Sequence, residues 1–405
     1  MKSDTKSSEH KKIEALLERG TLVEAYPSKD ALVDALVSGK KLKIYFGADP
    51  TGTSLHLGHA KNIFFLEELR QLGHEVILLF GDFTARIGDP TGKGSARKQL
   101  SAEEVKRNIA GWLEQAKPII NMTDKVNPAK VMYNSVWLSK LTFVDVVDLA
   151  SNFTVQQMLE RDMFSKRLKE GNPIHVHEFM YPLMQGYDSV AMDVDAELCG
   201  TDQIFNALAG RTLLKRLKNK DKFVIALNLI ANPKTGELMS KSNGTGVFVD
   251  AKPNELFGAI MALPDPMIDQ LFLNCTRIPL AEKDALLASG PRAAKARIAF
   301  DIVRRFHGEV LARSAEESFN KTFAKGGVPD EILEIKLGSS LLVDALIDAG
   351  IVPSKTEWRR LVADGAVRTD KDEKISDHLW KPAVTTILRI GKRRFVKLCC
   401  DSVYL

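Results

Sequence analysis

One stretch near the N-terminus constrains the fold more than any other. It reads as an apolar strand in residues 41–48, an amphipathic helix in residues 55–72, and a second apolar strand that begins at Glu75. This change of hydrophobic spacing, from strand to helix and back, is typical of a β-α-β unit. Such a unit predicts a parallel sheet with a right-handed crossover, in which ligands bind outside the carboxyl ends of the strands.

Alternating segments continue to about Asn243 and extend the predicted sheet. Residues 130–138, 196–200 and 222–230 read as strands, and residues 154–170 read as one helix. Strands that alternate with helices favour an α/β domain over separate all-α and all-β domains.

The C-terminal part of the chain has a different pattern. Residues 253–323 show helical spacing without a convincing strand, and after a linker with Gly and Pro the tail reads as two helices followed by short strands. The predicted fold class is therefore α/β, with a Rossmann-like parallel-sheet domain, an α-helical domain and a small α+β domain. Their boundaries are predicted at residues 1–245, 246–325 and 326–405, and the last range includes the linker.

Composition excludes several classes of protein. Hydrophobic residues make up 44% of the chain and charged residues 27%, as in ordinary globular proteins. The absence of a membrane-length apolar run and of a secretory signal predicts a cytoplasmic protein without a membrane partner. The 4 cysteines show no Cys-x-x-Cys spacing, so neither a zinc module nor a disulfide framework is expected. The net charge of +5 is compatible with a polyanionic partner but does not demonstrate one.

Two histidines, His56 and His59, stand at the start of the predicted helix in residues 55–72. With His175 and His177 they could be the ligands of a metal hydrolase, and as an isolated pair they could simply be satisfied surface or core residues. Unpaired N–H groups and the helix dipole favour an anion at a helix start, which points to phosphate. These three alternatives cannot be separated on the pair alone.

A Gly-rich loop follows the second strand at the same predicted sheet edge. It carries Asp89, Lys93 and Arg97. Its spacing differs from the P-loop of nucleotide triphosphatases and kinases, so that interpretation loses its main support. The loop could still bend toward a phosphate.

Two more polar groups stand out from their surroundings. The spacing of Tyr181, Gln185 and Asp188 places them on one face of a helix whose other residues are largely apolar. Such a polar face suggests a binding pocket. Lys241 lies between two serines in a Gly-flanked loop after the last predicted strand of the first domain. Alone, each group would be weak support for a site.

Together these motifs resemble a known family. The sequence "HLGH" at residues 56–59 and "LMSKS" at residues 238–242 resemble the two ordered signatures of the class I aminoacyl-tRNA synthetases. Within that class, the chain resembles the bacterial-type tyrosyl-tRNA synthetases in four stretches that occur in the same order: "YFGADPT", "IGDPTGK", "YPLMQGYD" and "GTDQ". The resemblance covers nearly the whole chain and ends in a tail that is similar to an S4 RNA-binding domain.

The resemblance implies an enzyme, a tyrosine–tRNA ligase of protein biosynthesis. Such an enzyme forms tyrosyl-adenylate and pyrophosphate from L-tyrosine and ATP, then transfers tyrosine to the 3′ end of tRNA(Tyr). It implies ATP as a substrate with Mg²⁺, no structural metal bound by the protein, and a homodimer. The candidate dimer surface is residues 149–164, within the catalytic domain, and the helical domain would bind the anticodon.

The resemblance also implies roles for individual residues. Those expected to act in catalysis are Thr51, His56, His59, Lys93, Arg97 and Lys241. Those expected to bind tyrosine are Tyr45 and Asp188 at the phenol, and Asp89, Tyr181 and Gln185 at the ammonium. Those expected near ATP or the adenylate are Asp49, Gly58, Asp202, Gln203, Met239, Ser240 and Lys241. Those expected to contact RNA are Arg359, Arg360, Arg393 and Arg394.

Two positions depart from the family pattern. Leu238 stands where the second signature begins with lysine, so one phosphate contact is missing or is supplied elsewhere, with Lys234 as a candidate. Cys199 stands in place of a glycine, which adds a side chain close to the expected adenylate position.

Three rivals stay open at this point. Leu238 favours a synthetase-derived RNA-binding protein that has lost activation, whereas the retained set of cationic and histidine residues argues against it. The metal hydrolase requires bound zinc. A tryptophan-specific relative is disfavoured by Tyr45, Asp188 and the S4-like tail.

Overall fold

The computed structural model describes residues 2–89, 100–239, 245–324, 333–337, 341–370, 372–382, 384–391 and 394–400. The chain divides into two compact units, Met1–Ala312 and Arg313–Leu405. The division falls inside a helix that spans Glu309–Ala324. The three predicted domains stay a prediction.

A six-stranded sheet forms the centre of the first unit. Its strands are β1 (Leu22–Tyr26), β2 (Lys43–Ala48), β3 (Glu75–Phe80), β4 (Lys130–Tyr133), β5 (Ala196–Gly200) and β6 (Phe223–Leu227). The strand order is β1-β6-β5-β2-β3-β4, in which β1 is antiparallel to β6 and all other neighbours are parallel. The predicted parallel sheet is confirmed.

Helices surround this sheet and continue beyond it. The helices that begin in the first unit are α1 (Lys2–Glu18), α2 (Lys29–Val37), α3 (Leu57–Gln71), α4 (Ala102–Ala116), α5 (Ser135–Leu138), α6 (Phe143–Ala150), α7 (Val155–Leu159), α8 (Asp162–Lys169), α9 (Val176–Met192), α10 (Ile204–Lys218), α11 (Pro253–Ala262), α12 (Ile268–Cys275), α13 (Lys283–Ala288), α14 (Pro291–His307) and α15 (Glu309–Ala324). The helical spacing predicted for residues 253–323 is thus confirmed by α11 to α15.

The sheet reverses its strand order at β2. The chain runs from β2 to β3 and β4 on one side, then returns to place β5 and β6 on the other side. In open α/β sheets, ligands bind at such a switch point, outside the carboxyl ends of the strands. A ligand site is therefore expected beyond Ala48 at the end of β2 and Gly200 at the end of β5.

Helix α3 connects the sheet to the helical part of the unit. Its residues are buried along most of its length, so it has apolar neighbours on more than one side. Phe64 packs against Phe306 of α14 with 5.9 Å between ring centroids. The helix ends before Gly73, whose φ of 93° lies in the left-handed region that glycine adopts readily.

Two predicted elements are wrong. Residues 130–138 are not one strand, because β4 ends at Tyr133 and α5 follows as a single helical turn. Residues 154–170 are two helices rather than one, because Arg161 adopts an extended backbone between α7 and α8. Its guanidinium lies over the rings of Phe164 and Phe205, at 5.5 and 5.2 Å from their centroids.

No single helix in the described part of the chain is both long and apolar enough to cross a membrane. The short segments Pro253–Ala262 and Asp265–Cys275 meet that criterion only when joined, and they are bent by 106° where they meet.

After the end of α15, the described residues of the second unit form a four-stranded sheet and two helices. Its elements are β7 (Leu333–Leu337), α16 (Leu342–Asp348), α17 (Lys355–Ala363), β8 (Val367–Thr369), β9 (Thr386–Ile390) and β10 (Arg394–Cys400). The strand order is β7-β10-β9-β8. Trp358 is buried at its centre, and its indole N–H donates to the carbonyl of His378 at 2.9 Å. The two predicted helices and the strands after them are present, and β7 was not predicted.

Candidate active site

The N-terminus of α3 is built by the two histidines of the first signature. His56 is the N-cap residue, with an extended backbone, and its Nδ1 accepts the N–H of Gly58 at 3.1 Å. The Nδ1 atom of His59 in turn accepts the N–H of His56 at 3.4 Å. The ring centroids of the two histidines are 3.9 Å apart, and His59 packs against Trp112.

Both rings are neutral at neutral pH. Burial lowers the pKa of His56 to about 4 and lowers the pKa of His59 well below its usual value. Because each Nδ1 accepts a backbone N–H, the ring proton must lie on Nε2. The pair therefore offers two neutral Nε2–H donors at the start of a helix, where a phosphate would be favoured.

The other pair of histidines serves a different helix. His175 is the N-cap of α9, and its ring stacks on that of His177 with 5.7 Å between centroids. Within the described ranges, no group of three or more His, Cys, Asp or Glu side chains is arranged to hold a metal ion.

Helix α4 holds the loop that carries Thr51. Its side chains donate to three carbonyls of this loop: Asn108 to Pro50 at 2.8 Å, Trp112 to Gly52 at 2.7 Å and Gln115 to Thr53 at 3.0 Å. Thr51 itself is exposed. The loop is thereby fixed between the end of β2 and His56.

Asp49 lies immediately beyond β2 and connects three elements. Its carboxylate accepts the hydroxyl of Thr84 at 2.7 Å and that of Tyr181 on α9 at 2.8 Å. Gly81 leaves the room for this arrangement, since a Cβ there would overlap both the Asp49 carboxylate and the Thr84 hydroxyl. Burial, and then the Asp49 charge, raise the pKa of Tyr181 well above its usual value.

The residues predicted for the phenol lie on β2 and α9. The hydroxyl of Tyr45 is 3.0 Å from the hydroxyl of Ser189, the neighbour of Asp188. Asp188 accepts the indole N–H of Trp137 at 2.8 Å and the amide of Asn134 at 3.3 Å. Burial raises the pKa of Asp188 well above its usual value, although both donors oppose that shift. A buried carboxylate with fixed donors is available here to accept a substrate hydroxyl.

Two of the three residues predicted for the ammonium, Asp89 and Gln185, belong to one hydrogen-bond network. Gln203 donates to Asp89 at 2.8 Å and accepts from Asn206 at 2.7 Å. Asn206 also donates to Gln185 at 2.9 Å, and Gln185 donates to Glu197 at 3.0 Å. The structure therefore brings together Asp89, Gln185 and Gln203, while the hydroxyl of Tyr181 bonds to Asp49. The charge of Asp89 contributes to the raised pKa of Tyr181.

Two further residues predicted to lie near the adenylate are Asp202, after the end of β5, and Gly58, in the first turn of α3. Burial, and then the charge of Asp89, raise the pKa of Asp202. Gly58 lies so close to the His56 ring that a Cβ would come within 2.8 Å of it. A side chain at that position would displace the ring.

The described residues on either side of the second signature make backbone hydrogen bonds to other segments. On one side the N–H of Met239 donates to the carbonyl of Ile230, beyond β6, at 2.9 Å. On the other side Leu57 donates to Val247 and Val249 donates to Leu55, each at 3.0 Å. Residues 247–249 thus lie beside the first signature. Predicted residues that lie outside the described ranges are Lys93, Arg97, Ser240, Lys241 and Arg393.

The two residues that depart from the family pattern, Leu238 and Cys199, lie in different environments. Leu238 is half-exposed and pairs with Ala231 in an isolated β-bridge. Cys199 is buried in an apolar cluster with Ala207, Val224 and Ala226. Its side chain therefore fills core space beneath α10. Compensation by Lys234 stays a prediction.

The predicted RNA-binding arginines lie in the second unit. Arg359 and Arg360 are exposed on α17, and Arg360 pairs with Glu357 at 2.8 Å. Arg394 donates to the carbonyl of Ile351 at 2.6 Å, so its guanidinium is engaged within the unit. Of the three, Arg359 and Arg360 present charge on the surface.

Several residues of the site were not predicted. Trp137 and Asn134 fix Asp188, Asn206 links Gln185 to Gln203, and Glu197 and Lys222 form a buried ion pair. The last two had a sequence signal, because each is a charged residue within or beside an otherwise apolar strand. Trp137 and Asn134 had no such sequence signal, since Asn and Trp in a short apolar segment are common in cores.

Comparison with known proteins agrees with this geometry. The family model of tRNA synthetases class I (W and Y) matches residues 38–324. The tyrosine–tRNA ligase of Carboxydothermus hydrogenoformans is 42% identical over 406 residues, which cover 96% of this chain and 97% of the relative. That of Thermotoga maritima is 40% identical, with 92% and 94% covered.

The chain belongs to the tyrosine–tRNA ligase family. Its activity is that of a class I aminoacyl-tRNA ligase, and the identity to tyrosine–tRNA ligases decides against the tryptophan-specific relative and the metal hydrolase.

Solved structures of tyrosyl-tRNA synthetases support the fold. The truncated mitochondrial enzyme of Aspergillus nidulans matches with a TM-score of 0.66 at 22% identity, covering 79% of this chain and all of that one. The enzyme of Archaeoglobus fulgidus, complexed with L-tyrosine, matches with a TM-score of 0.59 at 20% identity, covering 76% and 99%. At these identities the likeness shows that the chain has the family's α/β fold.

Proposed function

We propose that the crevice at the switch point binds tyrosine with its phenol toward Asp188 and its amino acid end toward Asp89. The observation that carries this proposal is the buried Asp188 carboxylate, held by Trp137 and Asn134 next to the Tyr45–Ser189 pair. Phenylalanine would leave these buried polar groups unsatisfied, a discrimination for which tyrosyl-tRNA synthetases are the known example.

The amino acid end would be held by the network beyond β5. Asp89 supplies a negative charge for the ammonium, and the amides of Gln185 and Gln203 supply neutral donors and acceptors. Because each amide already has partners on both sides, the substrate meets side chains whose orientation is fixed before it binds. Such preorganisation lowers the entropic cost of placing the reacting carboxylate.

Activation needs no covalent nucleophile from the protein. A carboxylate oxygen of tyrosine attacks the α-phosphorus of ATP, the new P–O bond forms as the bond to the bridging oxygen breaks, and pyrophosphate leaves. Neutral His56 and His59 would donate from Nε2 to phosphate oxygens, with Thr51 beside them. Mg²⁺ would arrive with ATP as part of the substrate.

The cationic residues of the two loops would act on the leaving group. Lys93, Arg97 and Lys241 are proposed to contact the pyrophosphate, where negative charge accumulates as the bond breaks. Residues 247–249 support this role for Lys241, because they follow it closely in the chain and bond to residues 55 and 57 at the N-terminus of α3. Met239 and Ser240 belong to the same loop.

Transfer to tRNA(Tyr) is proposed to use the C-terminal part of the chain. Residues 246–325 would approach the anticodon, and the S4-like residues 326–405 would contact RNA phosphates through Arg359 and Arg360. The cytoplasmic location predicted from the sequence stays a prediction.

A homodimer is proposed from exposed apolar side chains on α6. Phe143 and Val144 are 83% and 67% exposed, and Val147 is half-exposed on the same helix. By contrast Leu149 and Met158, within the predicted segment 149–164, are buried in the protomer. The candidate surface is therefore centred on α6. Phe143→Asp is expected to give a monomer in sedimentation velocity, whereas an unchanged dimer would exclude this surface.

Tyrosine-dependent exchange of pyrophosphate into ATP tests the activation step. We expect exchange with tyrosine and not with tryptophan or phenylalanine. Lys241→Ala is expected to lose at least tenfold in rate, Asp188→Asn is expected to raise the KM for tyrosine, and the exposed Lys125→Ala serves as a matched control without effect. A folded, RNA-binding sample without exchange would instead support the RNA-binding protein that has lost activation.

A further inference from the structure

A buried ion pair lies behind the proposed phenol site. The side chains of Lys222, just before β6, and Glu197, on β5, are 0% and 2% exposed, and the ammonium of Lys222 contacts the Glu197 carboxylate directly. Lys222 also donates to the hydroxyl of Ser189 at 2.8 Å. Buried ion pairs contribute little net stability compared with apolar side chains of similar size, so the pair invites a functional explanation.

The hydroxyl of Tyr45 borders on the same groups. It lies 3.0 Å from Ser189, and its ring centroid is 5.8 Å from the ammonium of Lys222. After burial, the charge of Glu197 is the largest cause of the raised pKa of Tyr45, so that carboxylate is close enough to attract the phenolic proton. The Tyr45 proton could therefore point inward, to Ser189 or Glu197, or outward, to a substrate.

The ammonium of Lys222 competes for the inward acceptors. It has three N–H donors and no acceptor, and it contacts both the Ser189 hydroxyl oxygen and the Glu197 carboxylate. Once Ser189 accepts from Lys222, its own proton is free to be donated to the oxygen of Tyr45. Because the Glu197 carboxylate already accepts from Lys222 and from Gln185, the proton of Tyr45 is then left for the substrate.

We propose that Lys222 is a positioning residue that acts through Ser189 to turn the hydroxyl of Tyr45 toward the substrate phenol. The phenol would then donate its proton to Asp188 and accept one from Tyr45, so both of its hydrogen-bonding roles are matched. This inference rests on the proposed function. It makes Lys222 and Ser189 determinants of specificity for a hydroxylated ring.

Ser189→Ala and Lys222→Met test the inference in tyrosine-dependent pyrophosphate exchange. In each variant the KM for tyrosine is expected to rise about three- to tenfold, the effect of one hydrogen bond, with kcat changed less than twofold. The Ki of phenylalanine as a competitive inhibitor is expected to stay constant, since phenylalanine has no hydroxyl. Ser189→Ala leaves the ion pair intact and so covers the case in which Lys222→Met does not fold.

Lys295→Met is the matched control, because it removes a largely buried ammonium of α14 that pairs with Asp265. Neither the KM for tyrosine nor the Ki of phenylalanine should change in Lys295→Met. A tyrosine KM unaltered in Ser189→Ala, or a KM and a phenylalanine Ki that rise together, would overturn the inference while the proposed function stands. Absence of exchange in the wild type would overturn both.

Discussion

At the scale of single residues, burial sets the charge state of the site. It lowers the pKa of both His56 and His59 and raises the pKa of Tyr45, Tyr181 and Asp188. The two histidines are therefore neutral at physiological pH, and the tyrosines keep their protons throughout that range. In the proposed site, fixed hydrogen bonds would hold the ends of the substrate, and positive charge would come from Lys93, Arg97 and Lys241.

The neutral state of His56 predicts a pH dependence of stability. In the unfolded chain His56 binds a proton below about pH 6.5, whereas in the folded protein it does so only below about pH 4. Stability is therefore lost as the pH falls through this window, by about 1–2 kcal/mol at pH 5. Urea unfolding at pH 7.5 and 5.0 should show a smaller loss in His56→Asn than in the wild type.

A control for that experiment is His10→Asn, because the side chain of His10 is 45% exposed. His10→Asn should lose as much stability between pH 7.5 and 5.0 as the wild type does. Equal losses in the wild type and in His56→Asn would show that His56 is protonated in the folded protein.

At the scale of elements, helices place the site more than strands do. Helix α4 fixes the carbonyls around Thr51, α3 presents the two histidines, and α9 carries Tyr181, Gln185 and Asp188. Residues from the ends of β2 and β5 complete the crevice. Each helix reaches a different part of the proposed substrate, so damage to one should have a distinct kinetic signature.

Two tryptophans allow this separation to be tested. Trp112→Phe removes the hydrogen bond to the Gly52 carbonyl and should reduce kcat/KM for ATP about three- to tenfold, with little change in the KM for tyrosine. Trp137→Phe removes the donor to Asp188 and should raise the KM for tyrosine, with little change in kcat/KM for ATP. Pyrophosphate exchange with each substrate varied in turn measures both. Identical effects on both substrates would mean that the tryptophans act only on folding.

The elements that the sequence predicted well are those with a long periodic pattern. Helix α3 and strands β2 and β3 follow hydrophobic spacing that needs no partner to be recognised. The turn of α5 and the break between α7 and α8 could not be predicted, because they depend on contacts with distant residues. Asn134, for example, binds both Phe83 and Asp188, and Arg161 lies over Phe205.

The same limit applies to the candidate site. Predicted residues were placed through motifs, whereas Trp137, Ser189 and Lys222 act on those residues from other elements and belong to no motif. Contacts of this kind arise only when the sheet brings distant segments together. Glu197 and Lys222 were each visible as a charge within or beside an apolar strand, but the sequence did not show that they pair.

At the scale of the whole molecule, the chain consists of two units with separate cores. The core of the second unit is a cluster around Trp358 that includes Leu346, Val362 and Leu398. The proposed activation residues all belong to the first unit, and the proposed S4-like contacts belong to the second. Activation and tRNA charging should therefore be separable.

Ending the chain after Ala324 tests this separation. Tyrosine-dependent exchange should be unchanged, whereas tyrosine transfer to tRNA(Tyr) should fall at least tenfold as RNA phosphate contacts are lost. In the full chain, Trp358→Ala should destabilise the second unit by about 3–5 kcal/mol and weaken transfer selectively. Loss of exchange in either variant would show that the two units depend on each other for activation.

The position of β1 has a consequence for synthesis of the protein. Leu22 pairs with Leu227, and Arg19 donates to the carbonyls of Phe272 and Ile278. During translation β1 leaves the ribosome first, yet its partner strand follows only after about 200 residues, a wait of roughly 10–40 s at bacterial or eukaryotic speeds. The crevice between β2 and β5 can assemble before that, so the nascent chain can form the proposed tyrosine-binding residues earlier than the edge of its sheet, while the second signature at residues 238–242 follows later.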